Sequence, residues 1–87
     1  PRILTPYAEL TTIYMDQGKL ADARDILERG LRSNPKSAPL LALLSSVYLE
    51  AGDLRRAQAV LEEAEQANPK LEIVQAVREE LDRRKKK

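Results

Sequence analysis

The chain has no cysteine, histidine, tryptophan or phenylalanine, and only three tyrosines, three glycines and five prolines in 87 residues. Without Cys or His there is no disulfide framework, no thiolate, no zinc finger and no imidazole base, which leaves carboxylates and hydroxyls as the available polar chemistry. Charge of one sign is not in excess. A net +1 exerts no general pull on nucleic acid or on an acidic surface. Long hydrophobic runs are missing too, since the longest, around Pro39–Leu44, is far too short to span a bilayer. The first residues, Pro1-Arg2-Ile3-Leu4, lack the apolar core of a secretory peptide. A soluble single domain is expected, with an intracellular setting favoured.

What is present is leucine and alanine: 14 Leu and 11 Ala against 8 Ile and Val together. That balance favours helices over strands, and alanine lets helix backbones approach closely while leucine fills the space between them. The intervals between prolines and glycines are of helix length.

Pro1, Pro35 and Pro69 are spaced 34 residues apart. Residues 1–34 laid over 35–68 give ten identities. Among them are Ala8 with Ala42, Leu10 with Leu44, Tyr14 with Tyr48, Gly18 with Gly52, Ala23 with Ala57 and Leu27 with Leu61. Each unit reads as helix, turn, helix, turn. Thr5 is the expected N-cap of the first helix, with Pro6 at its first position, and Ser37 plays the same part in the second unit. Gly18 and Gly52 supply the left-handed residue that ends the first helix of each hairpin, and Asp53 caps the helix after it. Asn34-Pro35 and Asn68-Pro69 close the second helices. The stripes Leu20, Ala23, Leu27, Gly30 and Leu54, Ala57, Leu61, Ala64 step by 3, 4 and 3, which defines one helix face. A last helix over Leu71–Lys87 buries Val74, Val77 and Leu81. It carries Gln75, Arg78 and Asp82 where the earlier units are apolar, so its outer side is expected to be polar and to close the array.

These residues are similar to the tetratricopeptide repeat (TPR) pattern, a 34-residue unit of the form W-x2-L-G-x2-Y, then Ala, Phe and Pro. Tyr7 and Leu41 stand at the Trp place, Leu10 and Leu44 match, and Thr11 and Ser45 replace the small Gly. Tyr14, Tyr48, Gly18, Gly52, Ala23 and Ala57 match. Leu27 and Leu61 take the aromatic place, Gly30 and Ala64 the second small place, and Pro35 and Pro69 the closing proline. The competing architecture is a generic bundle of four or five helices. The resemblance implies an all-α, right-handed α-solenoid of two antiparallel helical hairpins plus a C-terminal capping helix, five helices in all. Residues 1–4 end a preceding repeat or linker, 5–36 form hairpin 1, 37–69 hairpin 2, and 70–87 the capping helix with a basic tail. Upstream repeats and a larger parent protein are expected.

The resemblance also implies a protein–protein interaction scaffold whose first helices line a concave groove for a peptide or helix of a partner. The groove residues would be Thr5, Ala8, Glu9, Thr12, Met15 and Asp16 from the first unit. The second would give Pro39, Ala42, Leu43, Ser46, Leu49 and Glu50, and the last helix Ile73, Ala76, Val77 and Glu80. A ligand with apolar side chains beside a basic group fits this lining. The carboxylate terminus of a chaperone does not. Ala8, Thr12, Leu43, Ile73 and Val77 stand where the family grips such termini with Lys, Asn and Arg.

The alternative function is a structural spacer or a self-association module forming a homo-oligomer. A third class is an electrostatic adaptor acting through Arg83-Arg84-Lys85-Lys86-Lys87, against the plain reading that these cations favour a helix C-terminus. With no aromatic interleaved for base stacking, nucleic acid is not expected as a partner. No cofactor, metal or enzymatic activity is expected. Asp16 with Glu50, and Glu62, Glu63 and Glu65, are the carboxylate groupings present, and both read as solvated helix charge rather than as a catalytic pair or calcium cage.

Overall fold

A computed structural model describes residues 4–86, with side chains from Tyr7 onward. Five helices follow one another: α1 (Leu4–Asp16), α2 (Leu20–Ser33), α3 (Ala38–Glu50), α4 (Leu54–Ala67) and α5 (Glu72–Lys85). Tyr14 and Tyr48 both lie on helices, and no strand occurs among the described residues.

The two hairpin turns are built alike. Gly18 and Gly52 adopt φ of 75° and 81°, a region open to glycine at no steric cost. The turn then recovers two carbonyls that the helix end would leave unpaired. Lys19 N–H donates to the Tyr14 carbonyl (2.8 Å) and Gly18 N–H to that of Met15 (3.0 Å). In the second hairpin, Asp53 N–H donates to Tyr48 (2.9 Å) and Gly52 N–H to Leu49 (3.0 Å). Both are Schellman closures. The helices after the turns start differently. The Asp53 carboxylate accepts from Arg56 N–H (3.1 Å), whereas Lys19 at the matching place offers no side-chain cap. Asn34 and Asn68 end α2 and α4 in front of their prolines, and the Ser37 hydroxyl accepts from Leu40 N–H at the start of α3.

Two boundaries differ from expectation. α1 already runs from Leu4, so Thr5 lies within the helix rather than at its cap, and its side chain is outside the described ones. α5 begins one residue later than expected, with Leu71 in extended backbone ahead of it. Lys87 is outside the described residues.

Each helix packs on the next, and in addition α1 touches α3 and α3 touches α5, while the backbones of α2 and α4 stay apart. The arrangement is therefore a row of α1, α3 and α5, with α2 seated in the notch between the first two and α4 in the notch between the last two. The hairpins stack side by side and do not fold face to face. Helix α3 sits at the centre and buries residues on nearly every side, from Ala38 and Leu40 round to Val47 and Leu49. The core divides accordingly. Ala23 and Leu27 of α2 meet Leu40, Leu44 and Val47 of α3. Ala57, Leu61 and Ala64 of α4 meet Leu41, Ala42 and Leu49 of α3 and Val74, Val77 and Leu81 of α5.

The two hydroxyls at the small-residue place are fully buried and satisfied. Ser45 Oγ donates across to the Ala57 carbonyl on α4 (2.7 Å), while Thr11 Oγ1 donates back along α1 to the Tyr7 carbonyl (2.7 Å). A buried hydroxyl without such a partner costs stability, so the tight crossing of α3 and α4 keeps a serine at no penalty. Gly30 marks the other close approach, since a Cβ built there would lie 3.0 Å from Leu40 Cδ1 and 3.3 Å from the Tyr7 ring.

Arg78 does not belong to a polar outer side. It is half-buried and turns towards α4, where Nε and Nη2 reach Oε2 and Oε1 of Glu65, both at 2.8 Å. This two-pronged pair holds the Glu65 carboxyl below its ordinary range, hydrogen bonding to Arg78 outweighing the opposing effect of burial. A carboxylate with a lowered folded-state pKa contributes stability above its unfolded pKa and loses that contribution as pH falls through the folded value. The stability difference between the protein and its Glu65→Gln variant should therefore be largest near neutral pH and shrink in acid, below the usual carboxylate range. Urea midpoints for both proteins across that pH range check this, and a constant difference would remove the pair from the account.

Candidate binding face

The α1–α3–α5 row carries the residues expected to line a groove, and the packing divides them into two sets. Ala42, Leu49 and Val77 are buried in the core shared by α3, α4 and α5. They offer no surface. Leu49, at 2% exposure, was expected as an apolar contact for a ligand and is instead a core residue, because α5 lies directly on α3 and closes that seam. Ile73 is half-buried against the same cluster. Of the remaining α5 positions, Ala76 is exposed, and Glu80 is engaged by Arg83 and Arg84.

Between α1 and α3 the face is more open. Ala8 and Met15 on α1 and Pro39, Leu43 and Ser46 on α3 are half-buried, and Met15 and Leu43 rest on the edge of the α2–α3 core. Glu9, Thr12 and Asp16 are exposed. The Thr12 hydroxyl donates to the Ala8 carbonyl of its own helix (3.1 Å). Thr5 falls on the same helix, with its side chain outside the described ones. Ala8, Thr12 and Met15 are spaced by 4 and 3, as are Leu43, Ser46 and Glu50 by 3 and 4, so each set follows one helix face.

The carboxylate groupings separate. Glu50 is bound to Arg84 (3.0 Å) rather than paired with Asp16, and Glu65 is taken by Arg78. No cluster of three or more Asp or Glu able to hold a metal ion occurs among the described residues.

Of the basic tail, Arg84 turns inward, while Arg83, Lys85 and Lys86 stay exposed. Arg84 Nη1 donates to the Leu49 carbonyl at the end of α3 (2.7 Å), Nη2 to Glu50 (3.0 Å) and Nε to Glu80 (2.8 Å). One guanidinium thus ties α5 to a carbonyl of the last turn of α3, where cations are favoured. Hydrogen bonding to these carboxylates holds Glu80 below its ordinary range and raises Arg84 further above its own. Arg83 pairs with Glu80, and Lys85 Nζ donates to Gln58 on α4 (2.9 Å). Three of the five terminal cations are therefore occupied within the fold.

The surface that the sequence pattern does not mark is the outer flank of α1. Leu10 and Ile13 are its large exposed apolar residues, at 38% and 50%. Their counterparts 34 residues on, Leu44 and Val47, are at 6% and 2%. The signal available in the sequence is the register itself, which assigns Leu10 and Ile13 to a covered place without providing anything to cover it. No helix of the described residues is long and apolar enough to cross a membrane.

A family model of the tetratricopeptide repeat matches residues 14–81. No curated protein and no solved structure matches the chain.

Proposed function

Because this chain belongs to the tetratricopeptide repeat family, whose members generally serve as protein–protein interaction modules, we propose that the face between α1 and α3 binds a peptide or helix of a partner protein. The observation that carries this reading is the strip of Ala8, Thr12, Met15, Leu43 and Ser46, small and apolar side chains left partly open where the neighbouring α3–α5 seam is closed. Small residues leave room for ligand side chains, while Met15 and Leu43 supply apolar contact. Glu9 and Asp16 border the strip and form no ion pair among the described residues, so a Lys or Arg beside the ligand's apolar groups completes them. The same carboxylates disfavour an acidic chain terminus.

The test is an NMR titration with short amphipathic peptides carrying leucines and a lysine. Amide shifts should concentrate on residues 8–16 and 39–50. Thr12→Arg places a bulky cation on an exposed helical position and should weaken binding by about tenfold or more, with an unchanged melting midpoint. Shifts confined to the outer sides of α2 and α4, or binding indifferent to Thr12→Arg, would sink this assignment.

A further inference from the structure

Between the two hairpins, where α2 begins and α3 ends, lies a mainly apolar notch of about 150 Å3. Leu20 and Val47 give it apolar surface, Ala21 and Ala51 stand exposed at its edge, and Arg24 and Tyr48 are the lining residues with a polar side-chain group. Three of these residues belong to α2, which contributes nothing to the strip between α1 and α3.

The 34-residue register places a matching notch between α4 and α5, and there the chain fills the space itself. Arg55 and Lys85 stand in place of Ala21 and Ala51, and Gln58 in place of Arg24. Lys85 Nζ donates to Gln58 Oε1 (2.9 Å), so the lysine stem bridges α5 and α4. Between α2 and α3 the same two places hold alanine, whose methyl groups are too short to cross the gap. The notch stands open for that reason.

The polarity of the two notches is also reversed. Gln58 accepts from Lys85, and Asp82, in place of Tyr48, is an acceptor as well. Arg24 can only donate, and the Tyr48 hydroxyl has a proton to give. The second notch is filled by an alkyl stem with a donor head, and the first is complementary to an alkyl stem with an acceptor head. Arg24 is available for it. Its one ion pair among the described residues, with neighbouring Asp25, spans 3.6 Å between two exposed side chains, a kind that adds little. The planar fork of guanidinium donors matches a carboxylate.

We infer that this notch receives a glutamate side chain of a partner protein, with its methylenes against Leu20 and Val47 and its carboxylate on the Arg24 guanidinium, the Tyr48 hydroxyl serving as a second donor. Ala21 and Ala51 leave room for the partner's backbone to approach. A lysine would set one cation against another, and a glutamine would bring an acceptor without the charge. This site is independent of the peptide-binding face between α1 and α3.

The probe is acetyl-Ala-Glu-Ala-amide, followed by NMR at the amides of Leu20, Ala21, Arg24, Tyr48 and Ala51. At equal concentration it should shift them at least about threefold more than the peptides with glutamine or lysine at the centre. Arg24→Gln should reduce the response to the glutamine level with an unchanged melting midpoint. Ala51→Glu supplies the stem and carboxylate from within, as Lys85 supplies its own, so it should suppress the response without lowering the midpoint. The inference is overturned by equal responses to the three peptides, by the absence of shifts at the notch, or by shifts that survive Ala51→Glu. Sodium acetate, a carboxylate without the stem, is the last control. If it reproduces the shifts at the same concentration, Arg24 attracts anions in general and the notch has no part in it.

Discussion

Leu44→Ala is expected to lower the unfolding free energy by about 2–5 kcal/mol, the range for truncating a leucine in a close-packed core. Leu10→Ala, at the identical place of the first hairpin, is expected to cost less than about 1 kcal/mol. Both residues occupy the same turn of the same kind of helix, so propensity and unfolded-state effects largely cancel between them. The difference is what lies on top. Leu44 is 6% exposed beneath α2, and its loss leaves a cavity among Ala23, Leu27, Leu40 and Val47. Leu10 is 38% exposed, and its loss removes mainly a side chain already wet. Domains of this size draw on only about 5–15 kcal/mol in total, so the first substitution should visibly shift a urea transition while the second leaves it nearly in place. Equal effects from the two would mean that the outer flank of α1 is covered in solution.

Leu49→Lys should do more damage still, at least about 3 kcal/mol, and its effect should be on folding rather than on recognition. Leu49 is 2% exposed and shares its cluster with Leu61, Val77 and Leu81. The substitution forfeits the burial of a leucine, roughly 1.5–3 kcal/mol, and directs an ammonium into apolar surroundings close to the Arg84 guanidinium that already serves the Leu49 carbonyl. A cation near the end of a helix gains about 2 kcal/mol at most, too little to offset both losses. Circular dichroism should show a much lower melting midpoint, whereas Leu49→Met, of similar volume, should stay within about 1.5 kcal/mol of the parent. A well-folded Leu49→Lys protein would place this residue on the surface after all.

Leu49 also shows where a reading of residues alone reaches its limit. Helical spacing places Leu43, Ser46 and Glu50 on one line and sets Leu49, three residues after Ser46, to one side of it. Spacing cannot say which side of the line a neighbouring helix descends on. For α2 and α4 the apolar stripe is narrow, and the stripe is the answer: Ala23, Leu27, Ala57, Leu61 and Ala64 are all buried as their pattern requires. For α3 the apolar residues run round the helix, so its pattern contains no direction, and Ala42 and Leu49 were assigned to a groove that α5 in fact covers. Arg78 and Arg84 escaped for a related reason. Their partners stand 13 and 34 or 35 residues earlier, and in the sequence they read as members of a polar outer side and a basic tail.

The residues alone determined the helices, their ends and their repetition. A positive φ at Gly18 and Gly52, a proline after Asn34 and Asn68, and caps at Ser37 and Asp53 act over a few residues of chain and need no distant partner. The 34-residue register then carried the order of the stack and its membership of a repeat family. Tertiary structure alone decided which flanks are covered, which cations are bound inward, and that Leu10 and Ile13 stand open while Leu44 and Val47 do not. Burial is a property of what approaches a residue, and identical residues in identical helices acquire opposite roles when only one of them has a helix laid upon it.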